Sequence, residues 1–479
     1  MQYRFVVSAA LLSLGLMAYH LPEPRATNGG PATVGPAEPI RLITLDPGHF
    51  HAALVQKSDY PNVDKTVRVY APAGQDVQQH LDRIKGYNSR VETPTHWDEQ
   101  VYTGPDFLEK MLAEKAGNVV VMAGNNRLKT DYILKSVAGG FNVLADKPMV
   151  IQAAAFDKLK EAFATAAAKK VLLYDIMTER YEITTQLQRA FSRQPGLFGI
   201  LVKGTPANPA VVKESVHHFY KNVSGSILTR PAWFMDVDQQ GEGVVDVTTH
   251  LVDLVQWACF PEQILDYKRD VRLTSARHWP TTMNRSQFKA ITKLSTFPDY
   301  LKKDVVGDSV LRVFSNGEIN YQLRGINARV AVTWAYKAPE GAGDTHYSIM
   351  RGTKANLVIK QGAEQRYKPV LYIEPIVGNT KLDSDLRAAL PIVQREFPGI
   401  DLTKTPTGWQ VTVPEKYNEG HEAHFGRVME KYLDYLKAGK LPAWEVPNML
   451  AKYYTMTQAL ILAKSERTKP GRRAERNSE

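Results

Sequence analysis

One cysteine, Cys259, stands among 479 residues, so no internal disulfide can form and no cysteine cluster can bind a metal. It follows an apolar helical pattern and reads as a core thiol. Basic runs are missing as well. The 60 Lys and Arg are interleaved with the 50 Asp and Glu, and a net charge of +10 spread in this way gives no stripe to follow a nucleic-acid backbone. The surplus suits a small anionic ligand instead. Walker loops, a Ser-His-Asp order, a cysteine nucleophile motif and internal repeats are all absent, which removes the commonest nucleotide-hydrolysing, serine-hydrolase and solenoid readings.

Long apolar runs are scarce too. The one at the N-terminus, Phe5 to Tyr19 after Arg4, is shorter than the roughly 20 apolar residues a membrane span needs. Residues 1–20 therefore read as a signal peptide with Ala18 as the candidate cleavage residue, and a membrane anchor is the competing reading. No cysteine for lipid attachment and no twin arginine accompany the run. Residues 21–39, rich in Pro, Gly, Ala and Thr, form a tether, and the basic tail 469–479 reads as disordered. The expected location is outside the cytoplasm, in a periplasm; the alternatives are membrane-anchored or cytoplasmic. The remaining length exceeds one ordinary core, so two domains are expected.

What is present is organised around 118–150. Val119-Val120-Val121-Met122 is a short continuous apolar run, as in a strand buried on both faces of a parallel sheet. Ala123-Gly124-Asn125-Asn126 breaks it, Thr130 to Ala138 carries helical spacing that Gly139-Gly140 stops, and Phe141 to Leu144 is the next strand. Ligands of such sheets lie at the strands' carboxyl ends, where Asp146-Lys147-Pro148 falls. Earlier, Arg41 to Leu45 is a buried strand running into Asp46-Pro47-Gly48-His49-Phe50-His51. A dinucleotide fold carries G-x-G-x-x-G at that turn, because glycines let backbone amides approach a pyrophosphate. Only Gly48 remains, with Asp46 and His51 in the outer positions. The second strand, Thr66 to Tyr70, ends in Ala71-Pro72 rather than in the acid that holds a ribose, leaving NAD against NADP open.

Further along, Gly241-Glu242-Gly243 opens an expected helix, Val244–Ala258. Asp246 and His250 stand four apart on one face, a spacing that lets a carboxylate raise and orient an imidazole for proton transfer. His421, Glu422 and His424 have ligand chemistry but no supporting cluster, so no metal is expected. His217 and His218 alternate across a strand, and His218 is taken as the one facing a pocket. From Phe198 on, strands follow one another: Phe198–Lys203, Lys213–Tyr220, Ile264–Leu273, Ser309–Phe314, Glu318–Leu323, Arg329–Trp334 and three more to Pro375, with long insertions at 274–307 and 377–407 and two closing helices.

Asp146-Lys147-Pro148 resembles the Glu-Lys-Pro motif of the Gfo/Idh/MocA oxidoreductases, and Gly241-x-Gly243-x-x-Asp246-x-x-x-His250 resembles their Gly-Gly-Gly-x-x-x-Asp-x-x-x-His segment. Ala123 to Asn126 stands where the family has Ala-Thr-Pro-Asn, Lys129 falls where a histidine is common, and Arg180-Tyr181 resembles the Arg-aromatic pair at the exit of its nucleotide domain. The resemblance implies an α/β fold: a Rossmann dinucleotide-binding domain over 40–180, then an α+β domain with a large, mostly antiparallel open sheet over 181–468. It implies NAD or NADP held near Gly48, His49, Phe50, Asn125, Asn126, Asp146 and Lys147. It implies catalysis by Lys147, Asp246 and His250, with Arg180, Tyr181 and His218 beside Lys147 on the substrate side. The expected activity is oxidation at a sugar, glycoside or polyol hydroxyl, in a chain that forms homo-oligomers through its open sheet. Two alternatives stand beside it: redox-neutral glycoside cleavage with bound NAD, and an exported carbohydrate-binding protein without cofactor.

Overall fold

The computed structural model describes residues 39–223 and 226–467. The leader, all of the tether except residue 39, and the basic tail expected from the sequence lie outside them, and no described helix is long and apolar enough to cross a membrane.

Six short strands form the first sheet: β1 (Leu42–Leu45), β2 (Thr66–Ala71), β3 (Asp98–Thr103), β4 (Val119–Met122), β5 (Asn142–Asp146) and β6 (Leu173–Ile176). Their order is β3-β2-β1-β4-β5-β6, and every pairing is parallel. This is the doubly wound dinucleotide-fold order, whose strand sequence reverses between β1 and β4 and so opens a crevice at their carboxyl ends. The central strands β1 and β4 are buried throughout, as their unbroken apolar runs require. At about 1.5–3 kcal/mol for each fully buried aliphatic side chain, the packing of these strands against the flanking helices Lys129–Ala138 and Phe156–Lys169 stabilises this side of the site.

The second sheet has ten strands. Its neighbours pair antiparallel except where β7 (Val211–Tyr220) runs parallel to Ile326–Lys337. The helix Thr248–Cys259 lies against this part of the chain with nine of its residues buried. The closing helices are His421–Ala438 and Glu445–Arg467.

Several expected boundaries move, each for a local reason. Phe198–Lys203 is no strand; Leu201 makes an isolated bridge to Gly352. Asp266 accepts hydrogen bonds from the amides of Lys268 and Arg269 and caps a short helix, Tyr267–Asp270, so the strand expected from Ile264 begins at Val271. The two strands expected on either side of Gly317 are one, Val310–Leu323. The long segments are structured: 274–307 continues a strand to Asn284 and then forms the helix Arg285–Thr292. Within 377–407 lie the helix Leu382–Glu396 and a strand, Asp401–Thr405, that forms a hairpin with Gly408–Thr412 at the sheet edge.

Candidate active site

The carboxyl ends of β1 and β5, the turn before Thr248–Cys259 and the face of β7 border one cavity of about 1940 Å³, larger than the 300–1,000 Å³ usual for a small-molecule site. Lys147, Asp246 and His250 all line it, as do His49, Phe50 and His51. The two stretches singled out in sequence therefore do converge.

They pair differently from expectation. Asp246 does not hold His250; its Oδ1 accepts a hydrogen bond from Lys147 Nζ at 2.8 Å, in a pair whose side chains are 9% and 6% exposed. The reason is local. The Gly243 amide donates to the Phe314 carbonyl, and a Cβ at Gly243 would stand 2.0 Å from the Ser315 carbonyl oxygen. That close approach ties the backbone to the sheet, and the regular helix starts only at Thr248, so Asp246 sits in the turn before it. His250 is left with a buried Nδ1 that has no hydrogen-bond partner. Burial, reinforced by the Lys147 charge, pushes its imidazole down to about 3, so it is neutral over the physiological range.

Asp146 takes the partner that the sequence did not assign it. His51 Nδ1 lies 2.9 Å from Asp146 Oδ2, and Lys129 Nζ donates to the Asp146 carbonyl at 3.1 Å. Burial pushes Lys129 down to about 8. His49 packs edge-on against His51 with centroids 3.9 Å apart, and burial holds both imidazoles well below the ordinary histidine range. His49, His51 and Asp146 form a cluster with metal-ligand chemistry, which the sequence reading did not anticipate. His421, Glu422 and His424 do not form one: His421 turns to Glu179 at 3.4 Å, and Glu422 takes Lys57.

The phosphate end of the crevice is another matter. The amides of Gly48 and His49 both donate to the Ala123 carbonyl, at 3.2 and 3.1 Å. Trp233 Nε1 donates to Asp76 Oδ2 at 2.7 Å, and the two side chains stand over Gly48, within 2.9 and 3.0 Å of where a Cβ would be. Asn125 and Asn126 are engaged by the same segment: their side-chain amides donate to Gln239 Oε1 and to the Gln240 carbonyl, each at 2.7 Å. Asp46, at φ 48°, is pushed up to about 6 by burial and the nearby Asp76. A dinucleotide laid with its phosphates over Gly48 would have to displace the Asp76 and Trp233 side chains, whereas the cavity beside Lys147 has room for a nicotinamide ring.

Arg180 and Tyr181 do not line the cavity. Arg180 is buried in a network, its Nε and Nη2 each 2.7 Å from Asp253 oxygens and Nη1 2.9 Å from Glu445 Oε1. Lys452 completes that network against Asp253 and Asp175. Of the paired histidines on β7 it is His217 that faces the cavity, stacked on Trp334 at 5.2 Å. His218 is buried. Both reach Asp344, which those hydrogen bonds and Lys221 hold well below the carboxylate range despite burial. Asp344, in the loop after Ile326–Lys337, had no sequence signal beyond its glycine-rich surroundings. Arg230, stacked over Phe234 at 4.5 Å, likewise had none.

A doubly wound sheet that meets a large second sheet around a Lys–Asp pair defines the class: a two-part, dinucleotide-fold protein with an enzyme-like cavity at the strand ends. The chain belongs to the oxidoreductase C-terminal domain family, whose model matches residues 187–464. A crystal structure of a candidate oxidoreductase from Parabacteroides merdae is 57% identical, with a TM-score of 0.88 over 90% of this chain and 98% of that one. Levoglucosan dehydrogenase in complex with NADH and levoglucosan shares the fold, at a TM-score of 0.55 and 10% identity over 89% of this chain and 97% of its own. Biliverdin reductase from Synechocystis, in complex with biliverdin and NADP+, does so at 0.54 and 12%, over 89% and 99%. No curated protein matches the sequence.

Proposed function

We propose that this chain is an NAD(P)-dependent oxidoreductase of the Gfo/Idh/MocA type that acts on a hydroxyl-bearing carbon of a sugar, glycoside or polyol. The observation that carries the proposal is the Lys147–Asp246 pair, which joins the dinucleotide-type sheet to the second one at a cavity that His250 also lines. Lys147 spends one of its three donors on Asp246 and keeps others to fix a substrate oxygen. His250, which lines the cavity and is neutral, accepts the hydroxyl proton. A nicotinamide in the cavity would supply the hydride chemistry. The sugar complex of levoglucosan dehydrogenase supports a carbohydrate substrate, and the polar and aromatic wall of His217, Trp334, Arg230 and Asp344 suits one.

Redox-neutral glycoside cleavage is favoured by one observation, the cavity's size, which exceeds what a monosaccharide needs. A cofactor-free carbohydrate-binding protein is favoured by another, the closed phosphate end. The mass of small molecules released on denaturing the full chain, followed by nicotinamide absorbance during incubation with a panel of sugars and glycosides, separates the three. Oxidised sugar with net reduction of nicotinamide supports the proposal; cleavage without net reduction, or no nicotinamide at all, rejects it. The leader over residues 1–20 supports export, and N-terminal sequencing that starts at Met1 on native protein would count against cleavage.

A further inference from the structure

We propose that His49, His51 and Asp146 form a binding site for a divalent transition-metal ion on the floor of the cavity. This inference does not rest on the oxidoreductase reading. Each residue offers one ligand atom, and the three atoms lie within 4.8 Å of one another. His51 Nδ1 and Asp146 Oδ2 are already 2.9 Å apart. Two ligands bound at roughly 2.0–2.2 Å to one tetrahedral ion stand about 3.4 Å apart, so a shift of about half an ångström turns this hydrogen-bonded pair into neighbouring ligands. His51 and Asp146 are 8% and 4% exposed, which excludes a solvated surface cluster. Two imidazoles and one carboxylate suit zinc, manganese, iron or cobalt rather than magnesium or calcium, which prefer all-oxygen sets.

A second, independent observation points the same way. His421 brings its ring within 6.3 Å of that of His51, and His250, whose buried Nδ1 has no hydrogen-bond partner, lines the same cavity. Imidazoles thus approach the cluster from the second half of the chain, where a fourth ligand or a hydrogen bond to a bound water would come from. The site also has the outer support that ligating groups need. Lys129 fixes the strand end through the Asp146 carbonyl, and Asp246 engages the Lys147 ammonium, so that Asp146 need not.

The same geometry accounts for the turn itself. His49 and His51 occupy two of the positions over which a glycine-rich turn would bring a pyrophosphate, and the amides of Gly48 and His49 are spent on the Ala123 carbonyl. The turn presents imidazoles where a phosphate cradle presents N–H groups. With protein ligands on one side and the cavity on the other, the ion keeps positions open for water or a substrate oxygen, which it would polarise as a Lewis acid.

The test uses the full chain, expressed without a polyhistidine tag, and metal analysis by inductively coupled plasma mass spectrometry. Zinc titration calorimetry follows on protein stripped with chelator. The expected result is about one equivalent of ion per chain, with His51→Gln and Asp146→Asn each weakening zinc binding by about 100-fold or more. His49→Gln, at a turn position less buried than the other two, gives the same reading should either buried variant fail to fold. Absence of metal in the purified protein together with no zinc heat overturns the proposal. So does zinc binding of unchanged affinity in the folded variants, which would place the ion elsewhere.

Discussion

The two ends of the crevice between β1 and β5 are built on opposite principles. At the phosphate end the chain has packed its own residues into the space: Trp233 and Asp76 cover Gly48, and Gln239 and the Gln240 carbonyl occupy Asn125 and Asn126. At the cavity end the polar groups border open space: His250 is unpartnered at Nδ1, His51 and Asp146 bond to each other beside His49, and Lys147 is held by one carboxylate. Buried atoms without partners occur at both ends, Asn126 Oδ1 and Gln240 Oε1 at the first and His250 Nδ1 at the second; what distinguishes the second is the open cavity that His49, His51, Lys147 and His250 line. The chemistry therefore belongs to the open end. The closed end must rearrange before it can hold a dinucleotide.

The sharpest test of the open end is His250→Ala. A positioned proton acceptor contributes about 10²–10⁴-fold to turnover, and a loss of that order is expected in steady-state oxidation of whichever sugar the wild type accepts, with cofactor affinity unchanged. The wild-type rate also carries a signature. Because burial holds this imidazole at about 3, it is already deprotonated at neutral pH, and kcat/KM has no limb near the ordinary histidine value. A limb near pH 6.5 that disappears in His250→Ala would contradict the burial argument.

Next in size is the pair beneath it. Lys147→Met strands Asp246, 6% exposed on its side chain, and breaking one partner of a buried ion pair costs about 3–5 kcal/mol. Urea denaturation should show that loss, and the double variant Lys147→Met with Asp246→Leu should recover much of it. Equal stability of the single and double variants would mean that water reaches Asp246 and that the pair is a surface contact.

How much of this was legible in the residues themselves divides along the same line. Strands β1, β4 and β5 were legible as short apolar runs, because buried parallel strands have little choice of sequence, whereas β3, the polar and mostly exposed Asp98–Thr103, was not read as a strand. Lys147, Asp246 and His250 were grouped through the resemblance of their motifs to those of one oxidoreductase family, and the fold does bring all three to one cavity. Their pairing was not legible. Four-residue spacing says who shares a helical face only if the helix has begun, and the contact of Gly243 with Ser315, a long-range event, delays it. Arg180 was assigned to substrate for the opposite reason: nothing near it in sequence announces Asp253 and Glu445, its partners 73 and 265 residues away. The closed phosphate end was visible only as missing glycines, since Trp233, Gln239 and Gln240, which help to close it, lie far along the chain from the turn.

The closed end can be opened deliberately. Trp233→Ala removes the indole over Gly48 and the hydrogen bond to Asp76. If that indole competes with phosphates for the turn, NAD or NADP affinity measured by calorimetry should rise about tenfold, a change of about 1.4 kcal/mol. A fall in affinity would mean that Trp233 belongs to the cofactor's own contacts, and the contrast between the two ends would then be one of conformation rather than of construction.

The smallest effect isolates the acid at the same turn. Asp46 titrates at about 6 in the folded chain and close to 3.9 when unfolded. Between those values the folded state retains a proton that the unfolded chain has released, so stability falls as pH rises through the window, and the penalty is complete above about 6. Asparagine carries no proton to lose and tolerates the left-handed backbone that Asp46 adopts. Asp46→Asn should therefore match the wild type at about pH 4 and exceed it at about pH 7.5, by about 1 kcal/mol once partial exposure is allowed for. Thermal unfolding at the two pH values reads the difference directly. An advantage of equal size at both would show that Asp46 contributes through its shape or hydrogen bonds and not through its charge, leaving the crowding of Asp76 and Trp233 over Gly48 as what keeps phosphates from this turn.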